Sequence, residues 1–127
     1  MYVPIPGFSH LQLYQPADPV RYERVPTEED LRIRERARAL VRIAVEVAAG
    51  ARPLRQIRRE TFDPVIRLHL MAWSRGHGTS LRSVPCELRS LHARGGGEFF
   101  GSAQIGRHSH AFTGTFGKDR LTSFRLM

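Results

Sequence analysis

Apolar residues between positions 33 and 48 recur at the spacing of an α-helix. Five of them follow one another at steps of four or three residues and form one stripe: Ile33, Ala37, Leu40, Ala44 and Val47. Val41 and Ala48 widen this stripe. Thr27 is a suitable N-cap, and Asp30, three residues later, completes a shortened capping box. Gly50 suits the left-handed conformation that ends many helices. The pattern therefore predicts a long amphipathic helix between Thr27 and Gly50.

Two prolines mark the starts of further helical segments. Pro53 fits the first turn of a short helix, because proline has no N–H to leave unpaired there. The apolar residues expected to share a face of that helix are Leu54, Ile57 and Phe62. Asp63 followed by Pro64 forms an N-cap acid and proline before a strongly apolar segment, residues 65–73, which Gly76 closes. We therefore expect a longer second helix after the short one.

Beyond Gly78 the apolar positions change from a helical period to a period of two, which is typical of strands. The alternation predicts strands at residues 81–92, 98–105, 107–116 and 120–127. Two strand faces are predicted in detail: Val84, Cys86, Leu88 and Ser90 in the first strand, and Thr122, Phe124 and Leu126 in the fourth. Pro85 has no N–H to donate to a neighbouring strand, so part of the first strand is expected to be an edge or a bulge. Since helices precede strands and the connections are too short for crossovers, we predict an α+β domain, an antiparallel β-meander covered on one face by helices.

The first 26 residues carry five of the eight prolines and show no sustained period of apolar positions. We interpret residues 1–26 as a flexible proline-rich arm and residues 27–127 as a single α+β domain. The arm holds too many apolar residues for an inert linker. It is therefore expected either to pack on its own domain or to dock on a partner as an extended segment.

Composition and charge narrow the function classes. No stretch approaches 18 consecutive apolar residues, so no membrane span is predicted, and the early prolines interrupt any secretory signal. Cys86 is the only cysteine, which excludes an internal disulfide and favours the cytoplasm. The net charge of +8 suits nucleic acid, and nineteen of the twenty basic residues are arginine. Because acids are mixed among the bases, we interpret most of this charge as solvated surface.

Few residues have the spacing of a chemical site. His108 and His110 share a strand face with Phe112, but no third ligand is set by the sequence, which favours groove-lining histidines over a metal site. Gly95–Gly97 precedes a strand rather than a helix, so it is interpreted as a turn and not as a phosphate cradle. Cys86 lies within an apolar alternation and is expected to be a small core residue. We predict no catalytic residue, no metal ligand and no cofactor, and hence no enzyme.

One arginine run contains no acid: Arg52, Arg55, Arg58 and Arg59, of which the last three are spaced for one helix face. The run overlaps the segment Ala51-Arg52-Pro53-Leu54-Arg55-Gln56, which follows a long helix rich in arginine, alanine and valine and precedes an apolar helix and a set of strands. In this respect the chain resembles the small alanine-, arginine- and proline-rich proteins of actinobacteria. That family is of unknown function, and its genes often lie near the gene of SecA, the preprotein translocase motor.

The resemblance covers residues 27–127, although members often end in a Trp-x-Cys pattern where this chain has Phe124-Arg125-Leu126. It brings no known catalytic residues, and it implies a partner in protein export, SecA itself among the candidates. Helices followed by a curved antiparallel sheet are also the layout of the nuclear transport factor two-like and cystatin-like folds. That analogy implies a conical sheet that encloses a pocket, in a domain of a kind that often dimerises.

The leading functional hypothesis is a non-enzymatic module that holds a peptide or protein partner on the sheet face or in a helix groove. The alternatives are an RNA- or DNA-binding accessory protein that uses the arginine run, and a small-molecule pocket or enzyme inside the cone. The candidate partner-binding residues are Arg52, Arg55, Arg58, Arg59, Phe99, Phe100, His108, His110 and Phe112. Phe99 and Phe100 point to opposite sides of one strand, so an exposed aromatic sheet face is expected. The proline-rich arm, the partner protein or a second copy of the chain could cover it, and we favour the second copy, in a homodimer that meets through that face.

Overall fold

The computed structural model describes residues 2–5, 8–14, 27–79 and 83–127. Contacts group the chain into two units, residues 1–31 and 32–127, and each is considered by itself. In the part of the chain that the structure describes, no helix combines the length and the apolar character that crossing a membrane requires. The cytoplasmic location stays a prediction.

The first unit contains a two-stranded antiparallel ribbon, β1 (Tyr2–Ile5) and β2 (Phe8–Tyr14), paired from Tyr2 opposite Tyr14. The segment interpreted from the sequence as a proline-rich arm thus contains two strands, for which the alternation gave no prediction. Pro4 is tolerated within β1 because a two-stranded ribbon leaves one edge of each strand without ladder bonds. Residues 15–26 lie outside the described part of the chain, and the flexibility of the arm stays a prediction.

Helix α1 (Glu28–Ala48) confirms the predicted amphipathic helix and its cap. The Thr27 N–H donates to the Asp30 carboxylate at 3.0 Å, and the Asp30 N–H donates to the Thr27 hydroxyl at 3.1 Å, which completes the capping box. Gly50 has a φ of 80°, as expected after the helix end. Burial begins only at Ala37: Ile33, predicted in the apolar stripe, is 44% exposed.

The segment after α1 forms a single turn of 3-10 helix, Leu54–Gln56, with Pro53 at its N-cap rather than within it. Helix α2 (Pro64–Gly76) then begins as predicted, and the Asp63 carboxylate accepts a hydrogen bond from the Val65 N–H at 3.0 Å. The two helices are also joined through polar groups, because the hydroxyls of Ser74 and Thr79 both donate to the Ala48 carbonyl oxygen.

Four strands form one antiparallel sheet: β3 (Cys86–Ala93), β4 (Glu98–Ile105), β5 (His108–Gly117) and β6 (Arg120–Leu126). Their order is β3-β4-β5-β6, so neighbours in sequence are neighbours in the sheet and the predicted meander is confirmed. Both helices pack on one face of this open sheet, which makes the fold α+β. The largest fully buried side chains lie between the two layers: Phe62, Phe112, Ile66, Leu70 and Leu121.

Two β-bulges change the strand faces that the alternation predicted. Arg89 is the extra residue between Leu88 and Ser90, so Leu91 reaches the core and Ser90 instead faces Ser102 on the opposite side of the sheet. A second bulge at Thr122 leaves that residue exposed and places Leu121 in the core beside Phe124 and Leu126. The prediction that Ser90 shares a face with Leu88, and Thr122 with Phe124, is therefore wrong, because a bulge shifts the alternation by one residue.

The sheet face away from the helices is mostly polar. Its side chains include Ser90, Ser102, Ser109, Thr113, Thr115 and Ser123. Phe99 points into the core and Phe100 to this other face, as predicted. Phe100 packs beside His92 and under the Arg94 guanidinium, which lies 4.7 Å from its ring centre. The expected aromatic face is thus a single aromatic residue within a serine- and threonine-rich surface.

Candidate functional site

The structure distributes the nine predicted partner-binding residues over four places. Phe99 and Phe112 are core residues, 4% and 1% exposed, and are not available to a partner in the folded domain. Phe100 lies on the polar sheet face. His108 and His110 lie at the start of β5 near the C-terminal end of α2. The arginine run occupies the connection between α1 and α2.

The arginine run does not share one helix face, because it spans a 3-10 turn and the turn that follows it. Arg52 is held in place: its guanidinium is ion-paired with Glu46 and donates to the Gln56 side-chain oxygen at 2.9 Å. Arg55, Arg58 and Arg59 are exposed, and their guanidinium groups have no hydrogen-bond or ion-pair partner among the described residues. Three guanidinium groups without a partner in the described part of the chain therefore face solvent, close in sequence to one that is fixed.

Arg52 also lines a groove between the end of α1 and the outer side of α2. We call this the α1–α2 groove; its lining residues are Val47, Gly50, Ala51, Arg52, Pro53, Leu54, Leu70, Met71, Ser74 and Arg75. Its volume is about 570 Å³. The floor is apolar, because Val47 and Leu70 are buried, while Arg52 and exposed Arg75 contribute the charged groups. The groove thus combines an apolar floor with two cations.

An exposed apolar ridge continues from the groove along α2. Val65, Leu68 and Met71 follow one another at steps of three, so they are neighbours on the helix surface. Val65 is 67% exposed and Leu68 is 65% exposed, and they are among the most exposed large apolar residues in the described part of the chain. The sequence predicted a strongly apolar helix over residues 65–73 without distinguishing its exposed side from its buried side. The step of three was visible in the sequence. The core positions Ile66, Leu70 and Trp73 follow at steps of four and three, which is equally helical, so spacing alone does not tell the exposed side from the buried one.

The surface around the groove is positively charged. Residues 52–75 contain six arginines against two acids, Glu60 and Asp63. Asp63 is already used as the cap of α2, and Glu46, beside the groove, is paired with Arg52 and with Arg42 at 4.0 Å. The charge left over near the ridge is therefore cationic. Arg75 and Met71 belong to this site although neither had been marked from the sequence.

Other predicted features have simpler roles. Within the described residues no group of three His, Cys, Asp or Glu side chains is placed to hold a metal ion. Cys86 is half-buried, and burial raises the pKa of its thiol, as does the nearby carboxylate of Glu46. A thiol with a raised pKa is a poor nucleophile at neutral pH, as expected of a structural cysteine. Gly95–Gly97 is a turn between β3 and β4.

The comparisons with known proteins add no relative: no family model matches the chain, and searches of curated proteins and of solved structures returned no match. The likeness to the alanine-, arginine- and proline-rich family stays a prediction. Its most specific segment nevertheless has a place in the structure. Ala51, Arg52, Pro53 and Leu54 line the α1–α2 groove, and Gln56 fixes the Arg52 guanidinium.

Proposed function

We propose that the protein is a non-enzymatic interaction module whose α1–α2 groove binds an acidic amphipathic peptide segment of a partner protein. The observation that supports it best is the exposure of Val65 and Leu68 on α2, whose half-buried neighbour Met71 lines a groove that also carries Arg52 and Arg75. An isolated exposed apolar residue needs no explanation, whereas a ridge that continues into an apolar groove favours a binding surface.

The chemistry of the groove selects the kind of partner. Apolar side chains at helical spacing fit an apolar groove, and carboxylates on the flanks of such a helix would meet Arg55 and Arg75. Complementary charge mainly accelerates association and excludes basic partners, while the desolvated apolar contact supplies most of the affinity. An acidic amphipathic helix satisfies both parts of the surface. A basic amphipathic helix satisfies only the apolar part.

A pair of synthetic peptides tests the proposal on the full chain. In one, leucines at helical spacing form one face and glutamates the other; in its counterpart lysine replaces every glutamate. Titration calorimetry should show saturable binding of the glutamate peptide and at least about tenfold weaker binding of the lysine peptide. Met71→Glu should abolish binding of the glutamate peptide, and Arg89→Glu, on the exposed side of β3, should not. Equal binding of both peptides would contradict the proposal.

Nucleic acid is the competing ligand for the same arginines. A single-stranded oligothymidine titrated at several salt concentrations distinguishes the two, because phosphate binding weakens linearly on a log–log plot with a slope set by the number of contacts. If the oligonucleotide binds with a steep slope and Met71→Glu has no effect on it, the arginine run serves phosphates and the peptide proposal is wrong. Binding of the glutamate peptide with a shallow salt response supports the peptide site.

Two further proposals rest on analogy. We infer a link to SecA-dependent protein export only from the likeness at residues 51–56, and the position of those residues on the groove supports it by giving that segment a surface role. We also propose that the sheet belongs to the cone-shaped nuclear transport factor two-like or cystatin-like class. The bulges at Arg89 and Thr122 support the cone because bulges bend strands and increase their twist.

A further inference from the structure

A second cavity opens between the C-terminal end of α2 and the turn that joins β4 to β5. Its volume is about 470 Å³, within the range of small-molecule sites, and it shares no lining residue with the α1–α2 groove. The residues that matter for its chemistry are Trp73, His77, Ile105, Arg107, His108 and His110. We call it the Trp73 cavity.

Aromatic and imidazole rings form one wall of the Trp73 cavity. The His77 ring stacks on Trp73 with the two centres 3.8 Å apart and the planes 12° from parallel. His110 lies edge-on to both rings, 5.0 Å from Trp73 and 5.5 Å from His77, and His108 is 6.5 Å from His110. This cluster joins α2 to β5, so its rings are held by two different elements.

Hydrogen bonds fix which ring nitrogens are open to a ligand. His77 Nδ1 lies 2.9 Å from the Trp73 carbonyl oxygen, and His110 Nδ1 lies 2.8 Å from the Met127 main-chain oxygen. An oxygen of this kind only accepts, so each Nδ1 carries the proton. The two Nε2 atoms have no partner among the described residues. Both histidines thus present a fixed, unpaired Nε2.

Trp73 is the buried aromatic residue of the cavity wall. Its side chain is only 7% exposed, and its Nε1–H is buried without a hydrogen-bond partner among the described residues. Buried donors are nearly always paired, because an unpaired one forfeits the hydrogen bond it made with water. Because the Nε1 atom is itself buried, a ligand in the cavity would contact the indole ring rather than this N–H.

The charged lining of the cavity is cationic. Arg107 lies exposed at the β4–β5 turn, and no aspartate or glutamate is among the described lining residues. Ile105, Val84 and Pro85 supply apolar surface. We propose that the Trp73 cavity binds a small aromatic carboxylate, with the ring against the apolar and imidazole wall and the carboxylate accepting from Arg107.

The test uses the only tryptophan of the chain as its reporter. Benzoate and its neutral isostere benzamide are titrated into the ¹⁵N-labelled full chain, and the single indole N–H signal is followed. We expect a saturable shift with benzoate at an affinity at least about tenfold higher than with benzamide, because only the carboxylate makes an ion-paired hydrogen bond with Arg107. No shift with benzoate, or equal affinity for both compounds, overturns the proposal.

Arg107→Gln tests whether binding depends on the carboxylate contact or only on the apolar surface of the cavity. The substitution lies in an exposed turn, and an indole signal at the wild-type position verifies that the fold is intact. It should lower the benzoate affinity about tenfold and leave that of benzamide unchanged. The matched control is Arg89→Gln, at an exposed position of β3, and it should change neither the benzoate nor the benzamide affinity. If Arg107→Gln has no effect on benzoate, the carboxylate contact is wrong.

Discussion

The main-chain N–H of Leu126 donates a hydrogen bond of 2.8 Å to Nε2 of His69, which joins α2 to the last strand of the sheet. An N–H can donate only to a ring nitrogen without a proton, so the neutral imidazole is the form that fits the fold. Burial lowers the pKa of His69, and the nearby Arg125 guanidinium lowers it further. The net lowering of the pKa means that the folded domain favours neutral His69.

The first prediction is a loss of stability in mild acid that depends on His69. Its folded pKa lies below its ordinary value of 6.5, so the unfolded chain binds the proton more readily. The His69 contribution is therefore present above pH 6.5 and is lost as the pH falls towards the folded pKa. Urea unfolding at about pH 7.5 and about pH 5.5 measures the difference.

His69→Gln is the informative variant, because the glutamine side-chain oxygen can accept from Leu126 N–H and does not titrate. We expect the variant to lose less stability than the wild-type chain between the two pH values. His92→Gln, in an exposed side chain of β3, serves as the control and should keep the wild-type dependence. An identical acid response in His69→Gln would show that another group is responsible.

Leu40 tests the apolar stripe of α1. The side chain is 4% exposed, and aspartate at this position would bury a carboxylate without a partner. We expect Leu40→Asp to lower the free energy of unfolding by about 3 kcal/mol or more. The adjacent exposed Ala39 provides a matched control, since Ala39→Asp adds the same charge to the same helix. Its cost should stay below about 1 kcal/mol, and similar costs at both positions would contradict the observed helix face.

Gly101 reports on the close approach of β3 and β4 next to the Arg89 bulge. A Cβ at this position would lie 2.1 Å from the Ser90 carbonyl oxygen and 2.7 Å from the edge of the Phe112 ring. We expect Gly101→Ala to destabilise the domain by about 1–3 kcal/mol, as overpacked core positions do. Gly76→Ala has no atom within 4 Å of the new Cβ and should be neutral or mildly stabilising at the end of α2. Urea midpoints that rank the two variants the other way would contradict this packing.

The order of elements was predictable because each has local signals. Thr27, Asp63 and Gly50 mark helix ends through hydrogen bonds and backbone conformations that involve only their neighbours in sequence. The strands β4 and β5 alternate regularly and lie within a residue or two of their predicted bounds. The sequential pairing followed from turns too short for any other connection.

The site was less predictable, because it depends on long-range packing. The bulge at Arg89 cannot be read from alternation, since both Ser90 and Leu91 are compatible with a strand face until the partner strand sets the register. The exposed ridge of α2 has the same composition as its buried side, and only docking on the sheet decides that Ile66 is inside and Val65 outside. Arg75 reaches the groove because α2 folds back on the end of α1, 25 residues or so away in sequence.

The adjacent pair Phe99 and Phe100 tests the two faces of the sheet and the predicted homodimer together. Phe99→Ala removes a buried ring and should cost about 3–5 kcal/mol, whereas Phe100→Ala should cost about 1 kcal/mol or less through its contact with Arg94. Because Phe100 is the large apolar side chain on an otherwise polar face, a sheet-to-sheet dimer would have to centre on it. Sedimentation of the full chain should then show a dimer for the wild type and a monomer for Phe100→Glu, with urea midpoints that differ little at low protein concentration. If the wild-type chain is a monomer, the predicted homodimer is wrong. If Phe100→Glu is still a dimer, the dimer does not form through this sheet face.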